Sequence, residues 1–301
     1  MRFGLYANFH RPDASETVNF VIDWCRKNDH KIFFCDKIVD RITSDIESIP
    51  CDDLVNNSDI VISLGGDGTI LATARTLEKS EIPILGINLG SLGFLTQITP
   101  DDLESALKRV VSGSYQIEKR MVMQSQVIDG DKMTLPYALN DVVIDKGSVS
   151  RVINLSLYAD GEYISSYTAD GMVVATPTGS TAYSLATGGP ILKPTMDALI
   201  VSPISPFSLT SRPLVFPAET NLEVRIRSEH GSALLTIDGQ VATKFSPQGT
   251  IQVSKAAHSI RFIRFPENSF FDILRQKLHW GKLPVVDYKK SDILKKPSTN
   301  K

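Results

Sequence analysis

The stretch Ser58–Arg75, SDIVISLGGDGTILATAR, decides how the first third of the chain folds. Its apolar run DIVISL reads as a buried strand, and TILATARTLEK reads as a helix. Between them Gly65, Gly66 and Gly68 surround one carboxylate, Asp67, and Thr69 opens the helix. Glycines let backbone N–H groups come close to an anion, and a helix N-terminus adds donors and a favourable dipole. Asp67 is out of place in a bare phosphate cradle, because a carboxylate repels phosphate unless a hydroxyl or a metal ion lies between them. It can cap the helix in a tight turn. Alternatively it accepts the proton of an attacking hydroxyl, or holds a metal, while the amides beside it grip a donor phosphate. Neither GxxxxGK[ST] nor GxGxxG occurs in the chain.

Outward from this stretch the same alternation continues. RFGLYAN, KIFFC and IPILGIN read as strands. In ETVNFVIDWCRKN, Val18, Ile22 and Cys25 fall at helical spacing, with Asp13 and Ser15 as candidate caps. DDLESALKRVVSG starts acidic, turns basic and ends on Gly113, as helices do. Strands alternating with helices predict a parallel sheet covered on both faces. Near Ser114 the pattern changes to strands joined by Asp-Gly and other glycine turns, with one helix starting near Gly179. NLEVRIRS, ALLTIDGQ, TIQVSK and IRFIRF are further strand candidates. The segment SFFDILRQKLHWG places Phe270, Ile273, Leu274 and Leu278 on one helical face, with Gly281 to stop it. The expected organisation is an α/β domain with a parallel sheet over residues 1–115 and a mainly antiparallel β domain over 116–265. A C-terminal helix and polar tail over 266–301 return to the first domain.

Composition narrows the function classes. Of 301 residues 42% are apolar and 22% charged, enough for ordinary packed cores. A net charge of −2 argues against a nucleic-acid partner. Cys25, Cys35 and Cys51 form no CxxC pair and no cluster with histidine, which suits a reducing cytoplasm. No apolar run spans a bilayer, so no membrane partner is expected.

GGDGT resembles the signature shared by NAD kinases, diacylglycerol and sphingosine kinases and, as GGDGS, phosphofructokinases. Three further stretches resemble the NAD kinase family of bacterial type in particular: GINLGSLGFL (Gly86–Leu95), ALND (Ala138–Asp141) and TADGMVVATPTGSTAYSLATGGP (Thr168–Pro190). IDGQ, the proline-rich SPISPFSLTSRPLVFP and FFDILRQKLHWG add smaller matches. Three positions depart from the family pattern. Asn140-Asp141 stands where Asn-Glu is usual, Ala186 where many members have serine, and Phe207 where histidine is common. Ordinary structural roles stay open beside these matches: Phe94 and Tyr183 as core residues, Asp-Gly in IDGQ as a hairpin turn, and Arg151 as a solvated strand end.

The resemblance implies transfer of the ATP γ-phosphoryl group to the 2′-hydroxyl of the adenosine ribose of NAD, giving NADP. It implies Asp67 as general base or hydroxyl-orienting residue. Gly65, Gly66, Gly68 and Thr69 would hold the donor phosphates. The candidate NAD contacts are Asn88, Phe94, Asn140, Asp141, Arg151, Thr168, Asp170, Thr181, Ala182, Tyr183, Ser184, Ala186 and Gln240. Magnesium or another divalent cation would arrive with ATP, held by phosphates and water rather than by a protein metal site. A homodimer or homotetramer is implied, with the active site in the crevice between the two halves. A lipid kinase on the same scaffold, or an NAD-binding regulator without catalysis, are the competing classes.

Overall fold

Strand β4 (Ile60–Gly65) is buried along its whole length, as befits an apolar run with a strand on either side. It belongs to a parallel set ordered β5 (Ile84–Asn88), β4, β1 (Arg2–Ala7), β2 (Lys31–Cys35) and β3 (Ser48–Ile49). The structure is a computed structural model describing residues 1–279 except 12, 36–47, 91, 130, 148–150, 228–232, 247 and 268. Gly281 and the polar tail lie outside the described residues.

The period of β4 sorts its side chains between two cores. Ile60, Ile62 and Leu64 join Val18 and Ile22 of α1 (Ala14–Lys27) and Leu107 of α4 (Leu103–Val111). Val61 faces the other way, onto Ile70, Leu71 and Leu77 of α3 (Asp67–Leu77). Helices therefore cover both faces, as the alternating pattern predicts. From β1 the chain runs outward through β2 and β3, then returns to place β4 and β5 on the opposite side. The strand order reverses there, and the crevice beyond the C-terminal ends of β1 and β4 is where such sheets bind ligands.

The second half is built on a long antiparallel ribbon of β6 (Gln116–Asp129) and β17 (Thr250–Arg264). TIQVSK and IRFIRF, expected as separate strands, are the two ends of β17. A register shift between Lys255 and Ser259 bends the strand without ending it. β17 pairs with β14 (Leu222–Arg227) near its start and lies parallel to β5 near its end, through Phe262 and Ile84. One sheet thus runs from β9 (Ile153–Ala159) and β10 (Glu162–Ala169) into the parallel set. The division expected between residues 115 and 116 falls where α4 gives way to β6, yet the ribbon carries the sheet across it.

A second, antiparallel sheet stacks on the first. It is ordered β13 (Leu214–Pro217), β12 (Ala198–Ile204), β11 (Gly171–Ala175), β8 (Asp141–Asp145), β15 (Ala233–Ile237) and β16 (Val241–Phe245). Val142, Ile144, Met172, Val174 and Leu199 meet Leu155, Leu157 and Val224 between the sheets. The helix expected from Gly179 is only a 3₁₀ turn, Gly179–Thr181, and a single α-turn, α5 (Tyr183–Ala186). The Gly189 N–H folds back on the Ser184 carbonyl at 2.8 Å and ends it.

Helix α6 (Phe270–Leu278) is capped by Ser269, whose hydroxyl accepts from the Phe271 and Asp272 amides. Ile273 and Leu274 are buried, and the Phe270 ring lies 6.4 Å from that of Phe94, so the helix contacts the first half. Leu278, expected on the same apolar face, is exposed. The cysteine spacing suggested no pairing, but a disulfide joins Cys35 and Cys51. Pairing of β2 with β3 sets Cys35 opposite Ile49 and brings the two cysteine Cα atoms within 4.3 Å. No described helix is long and apolar enough to cross a membrane.

Phe262 is fully buried where β6, β17 and β5 meet. Phe262→Ala is expected to cost about 3–5 kcal/mol of unfolding free energy, read as a lower urea midpoint at unchanged slope.

Candidate active site

A cleft of about 600 Å³ opens at the switch point of the parallel set. Ala7 at the end of β1 and Asn8 and Arg11 of the loop after it wall one side, and Gly66, Asp67, Gly68, Thr69 and Ala72 wall it from the start and second turn of α3. Gln240 reaches it from the β15–β16 hairpin of the other half. Gly65 sits behind the wall as the last, buried residue of β4. Gly66 occupies the N-cap position, and Asp67 and Gly68 begin the first turn, where helix amides lack intrahelical acceptors.

Asp67 does not cap its own helix. Its Oδ2 accepts from the Phe94 amide at 2.8 Å, and its Oδ1 accepts from the Leu95 amide at 2.9 Å and the Thr96 amide at 3.3 Å. The Thr96 hydroxyl lies 3.5 Å from the same Oδ1. The carboxylate is thus held by the loop after β5, part of the Gly86–Leu95 stretch. Gly93 lets that loop close on it: a Cβ there would collide with Asp67 Oδ1 and Thr96 Oγ1. Each carboxylate oxygen has about two lone-pair directions. Oδ1 is saturated, whereas Oδ2, with one donor, keeps a direction for an incoming hydroxyl.

The expected acceptor residues gather from three loops. Asp238, at a left-handed φ of 50° in the hairpin turn, accepts from the amides of Leu139 (3.0 Å), Asn140 (2.7 Å) and Asp141 (3.0 Å). The Asn140 carbonyl accepts from the Thr176 amide at 2.9 Å. Gly179 rests so closely on the Asn140 backbone that a Cβ would overlap the carbonyl. Thr181 ends the 3₁₀ turn and Ala182 follows it, with Tyr183 44% exposed beyond them and Ser184 buried. Gln240 links the halves: its Nε2 donates to the Gly68 carbonyl at 2.7 Å, and its Oε1 accepts from Arg75 Nη2 at 2.5 Å.

Other expected residues make local contacts. Asn88 is buried and its side-chain oxygen accepts from the Gly90 amide. The Phe94 ring packs against α6, with Lys277 Nζ 5.1 Å from its centroid. Thr168 donates to Asn154, and Asp170 pairs with Lys146 at 2.5 Å. Arg151 and Ala186 are exposed. Asn8 and Arg11 were missed by motif reasoning, because the loop after β1 carries no glycine signature. Only strand order brings it beside Asp67. Arg75 was missed as an unremarkable helix residue.

Burial, with the Asp238 carboxyl close by, pushes Asp141 up to about 7 despite the amide that Tyr183 directs at it. Burial raises Asp238 too, against the three amides it accepts. Among the described residues no group of three His, Cys, Asp or Glu side chains forms a metal cage.

Residues 6–115 match the ATP-NAD kinase N-terminal domain family and residues 139–265 the ATP-NAD kinase C-terminal domain family. An NAD kinase of Solibacter usitatus is 39% identical over 280 residues, 93% of this chain and 97% of its own length. One of Gemmatimonas aurantiaca is 46% identical over 231 residues, 76% of this chain and 80% of its own. Among solved structures, a yeast NADH kinase complexed with NADH superposes with a TM-score of 0.86 at 26% identity, covering 94% of this chain and 89% of its own. An Archaeoglobus fulgidus NAD kinase in complex with ATP superposes with a TM-score of 0.76 at 27% identity, covering 93% of this chain and 99% of its own.

The raised Asp141 carboxyl has a thermodynamic sign. Unfolding returns it to the ordinary value of 3.8, so its contribution to stability is full below about pH 4 and is lost as pH rises through 7. Asp141→Asn escapes this loss. Its stability relative to the parent is expected to rise between pH 4 and 7 by on the order of 2–4 kcal/mol and then level off. Urea unfolding at pH 5, 6 and 8 measures the difference.

Proposed function

The chain belongs to the NAD kinase family, and on that premise we propose that its cleft moves the terminal phosphoryl group of ATP onto the 2′-hydroxyl of the adenosine ribose of NAD, with NADP as product. The observation that carries the reading is the Asp67 carboxylate, pinned by loop amides at the mouth of the switch-point crevice with one oxygen direction open.

The donor triphosphate would lie along Gly66, Gly68 and Thr69, gripped by the amides of Asp67 and Gly68 and by the positive end of α3, with Gly65 setting the turn and the Thr69 amide donating to the Gly66 carbonyl at 2.9 Å. Arg11 supplies a cation on the opposite wall. Asn140 and Asp141 would take ribose hydroxyls and the adenine edge, and Thr181, Ala182 and Ser184 the nucleotide beyond. Tyr183 offers a flat exposed face for stacking, and Gln240 spans donor and acceptor sides. Asn88 and Phe94 act by shaping the loop after β5. Arg151, Thr168, Asp170 and Ala186 are assigned to the distal half of the dinucleotide.

Asp67 Oδ2 receives the hydroxyl proton as the ribose oxygen forms its bond to the γ-phosphorus. The bond from that phosphorus to the β–γ bridging oxygen breaks, and ADP leaves. In a loose transition state the proton departs late, so a carboxylate suffices, and the work is orientation and charge placement. A divalent cation bound to the triphosphate, held by phosphate oxygens and water, would neutralise its charge.

Assembly into a homodimer or homotetramer belongs to the same reading. Phe207 and Leu209 are 72% and 92% exposed after β12, and the Phe207 amide bonds the Thr168 carbonyl at 2.9 Å. The cytoplasm is the compartment we propose on the family premise alone, since the Cys35–Cys51 disulfide removes the cysteine argument for it.

Asp67→Asn is expected to bind NAD like the parent in calorimetry while losing ~10²–10⁴-fold in turnover with Mg-ATP. Parental rates of NADP formation in that variant would refute the assignment. Gly93→Ala, which pushes the loop off Asp67, is expected to lower kcat by about 10²-fold. A parental kcat would show that the loop contact is dispensable.

A further inference from the structure

Two guanidiniums lie buried behind the site on adjacent strands. Arg120 of β6 is 3% exposed and Arg264 of β17 is 8% exposed. Both bind one carboxylate, Glu118. Arg120 donates to its Oε1 from Nε at 2.9 Å and Nη2 at 2.6 Å, and Arg264 donates to the same oxygen from Nε at 3.0 Å. The Phe262 ring lies 5.7 Å from the Arg120 guanidinium carbon and 5.0 Å from that of Arg264.

Each guanidinium reaches a different loop of the site. Arg264 Nη1 donates to the Leu95 carbonyl at 3.0 Å, and Leu95 is the residue whose amide donates to Asp67 Oδ1. Arg120 Nη1 donates to Thr178 Oγ1 at 3.2 Å, in the loop that leads to Thr181 and Tyr183. Arg264 Nη2 is buried without a hydrogen-bond partner.

Such a cluster is a poor choice for stability alone. Buried ion pairs are often matched or bettered by apolar residues of similar volume, and this one has two cations for one anion. Burial lowers Arg120 to about 10 and lowers Arg264 as well, while the Asp67 charge opposes both shifts. Burial raises Glu118, but the two guanidiniums outweigh it and hold the carboxyl below its usual range. With Asp67 counted, the two positive and two negative charges balance.

We propose that Glu118, Arg120 and Arg264 form a positioning device for phosphoryl transfer. Through Leu95 it holds the amide loop that orients Asp67, and through Thr178 it ties that loop to the acceptor-binding half. The three are positioning residues, since none faces the reacting atoms. The proposal rests on the reading of Asp67 given above.

Arg264→Lys tests it by keeping the charge while removing the planar fork that spans Glu118 and Leu95. In the substrate-free protein, amide hydrogen exchange at Phe94–Thr96 is expected to speed up by at least ~10-fold, with β4 and β5 unchanged. In turnover, kcat is expected to fall by ~10–100-fold while NAD and ATP dissociation constants stay within about threefold. Parental exchange at Phe94–Thr96, or equal acceleration through β4 and β5, overturns the proposal. Should that variant not fold, Glu118→Gln removes the shared anion at nearly constant shape and carries the same two outcomes. Thr178→Val probes the other arm and is expected to raise KM for NAD several-fold; an unchanged KM removes that arm. Exchange is read without substrate, so a mistaken acceptor assignment would leave it untouched.

Discussion

The Asp67 carboxylate and the three amides of Phe94, Leu95 and Thr96 are the contact on which the site depends. It joins the turn after β4 to the loop after β5, two segments that strand order makes neighbours but that nothing covalent holds together. Hydrogen bonds to an ionised acceptor are stronger than neutral ones, and a partly buried setting strengthens them again. The bonds also orient the carboxylate: they saturate one oxygen and leave the other a single open direction. A side chain that would otherwise swing in solvent becomes a fixed acceptor beside a helix start. A pre-set geometry of this kind is what a reaction limited by orientation and charge placement requires.

Around this contact the two halves are stitched by polar groups rather than by a broad apolar seam alone. Gln240 brings the β15–β16 turn to Gly68, and Arg75, two turns further along the same face of α3, holds Gln240. Asp238 gathers the amides at Leu139–Asp141 from beneath, much as Asp67 gathers those at Phe94–Thr96. Carboxylates thus organise both sides of the cleft by accepting backbone donors. Asp141 lies buried beside Asp238, and burial raises both carboxyls.

Much of the fold was legible because its signals are local. The apolar period of Ile60–Leu64 and the glycines after it specify a strand, a turn and a helix whatever the surroundings. The Asp-Gly turns likewise announce the antiparallel half. Signals failed where the outcome depends on a distant neighbour. The bend between Lys255 and Ser259 resembles a strand break in sequence, yet pairing with β6 keeps β17 whole. Gly179–Ala186 carries helix-start residues, but the close approach to Asn140 and the return at Gly189 leave room for only single turns. Cys35 and Cys51 meet because β2 and β3 pair, which no spacing rule conveys.

The sequence by itself determined the order of elements, the two-part organisation, the glycine loop and the identity of the acid within it. Each of these follows from residue type and spacing over a few turns of chain. Tertiary structure alone decided which oxygen of that acid is open, because its donors come from a loop 27 to 29 residues away. It also decided that Arg264 meets Glu118, 146 residues earlier. Such pairings are set by strand register and sheet order, and one residue of slip along β17 would turn Arg264 to the opposite face.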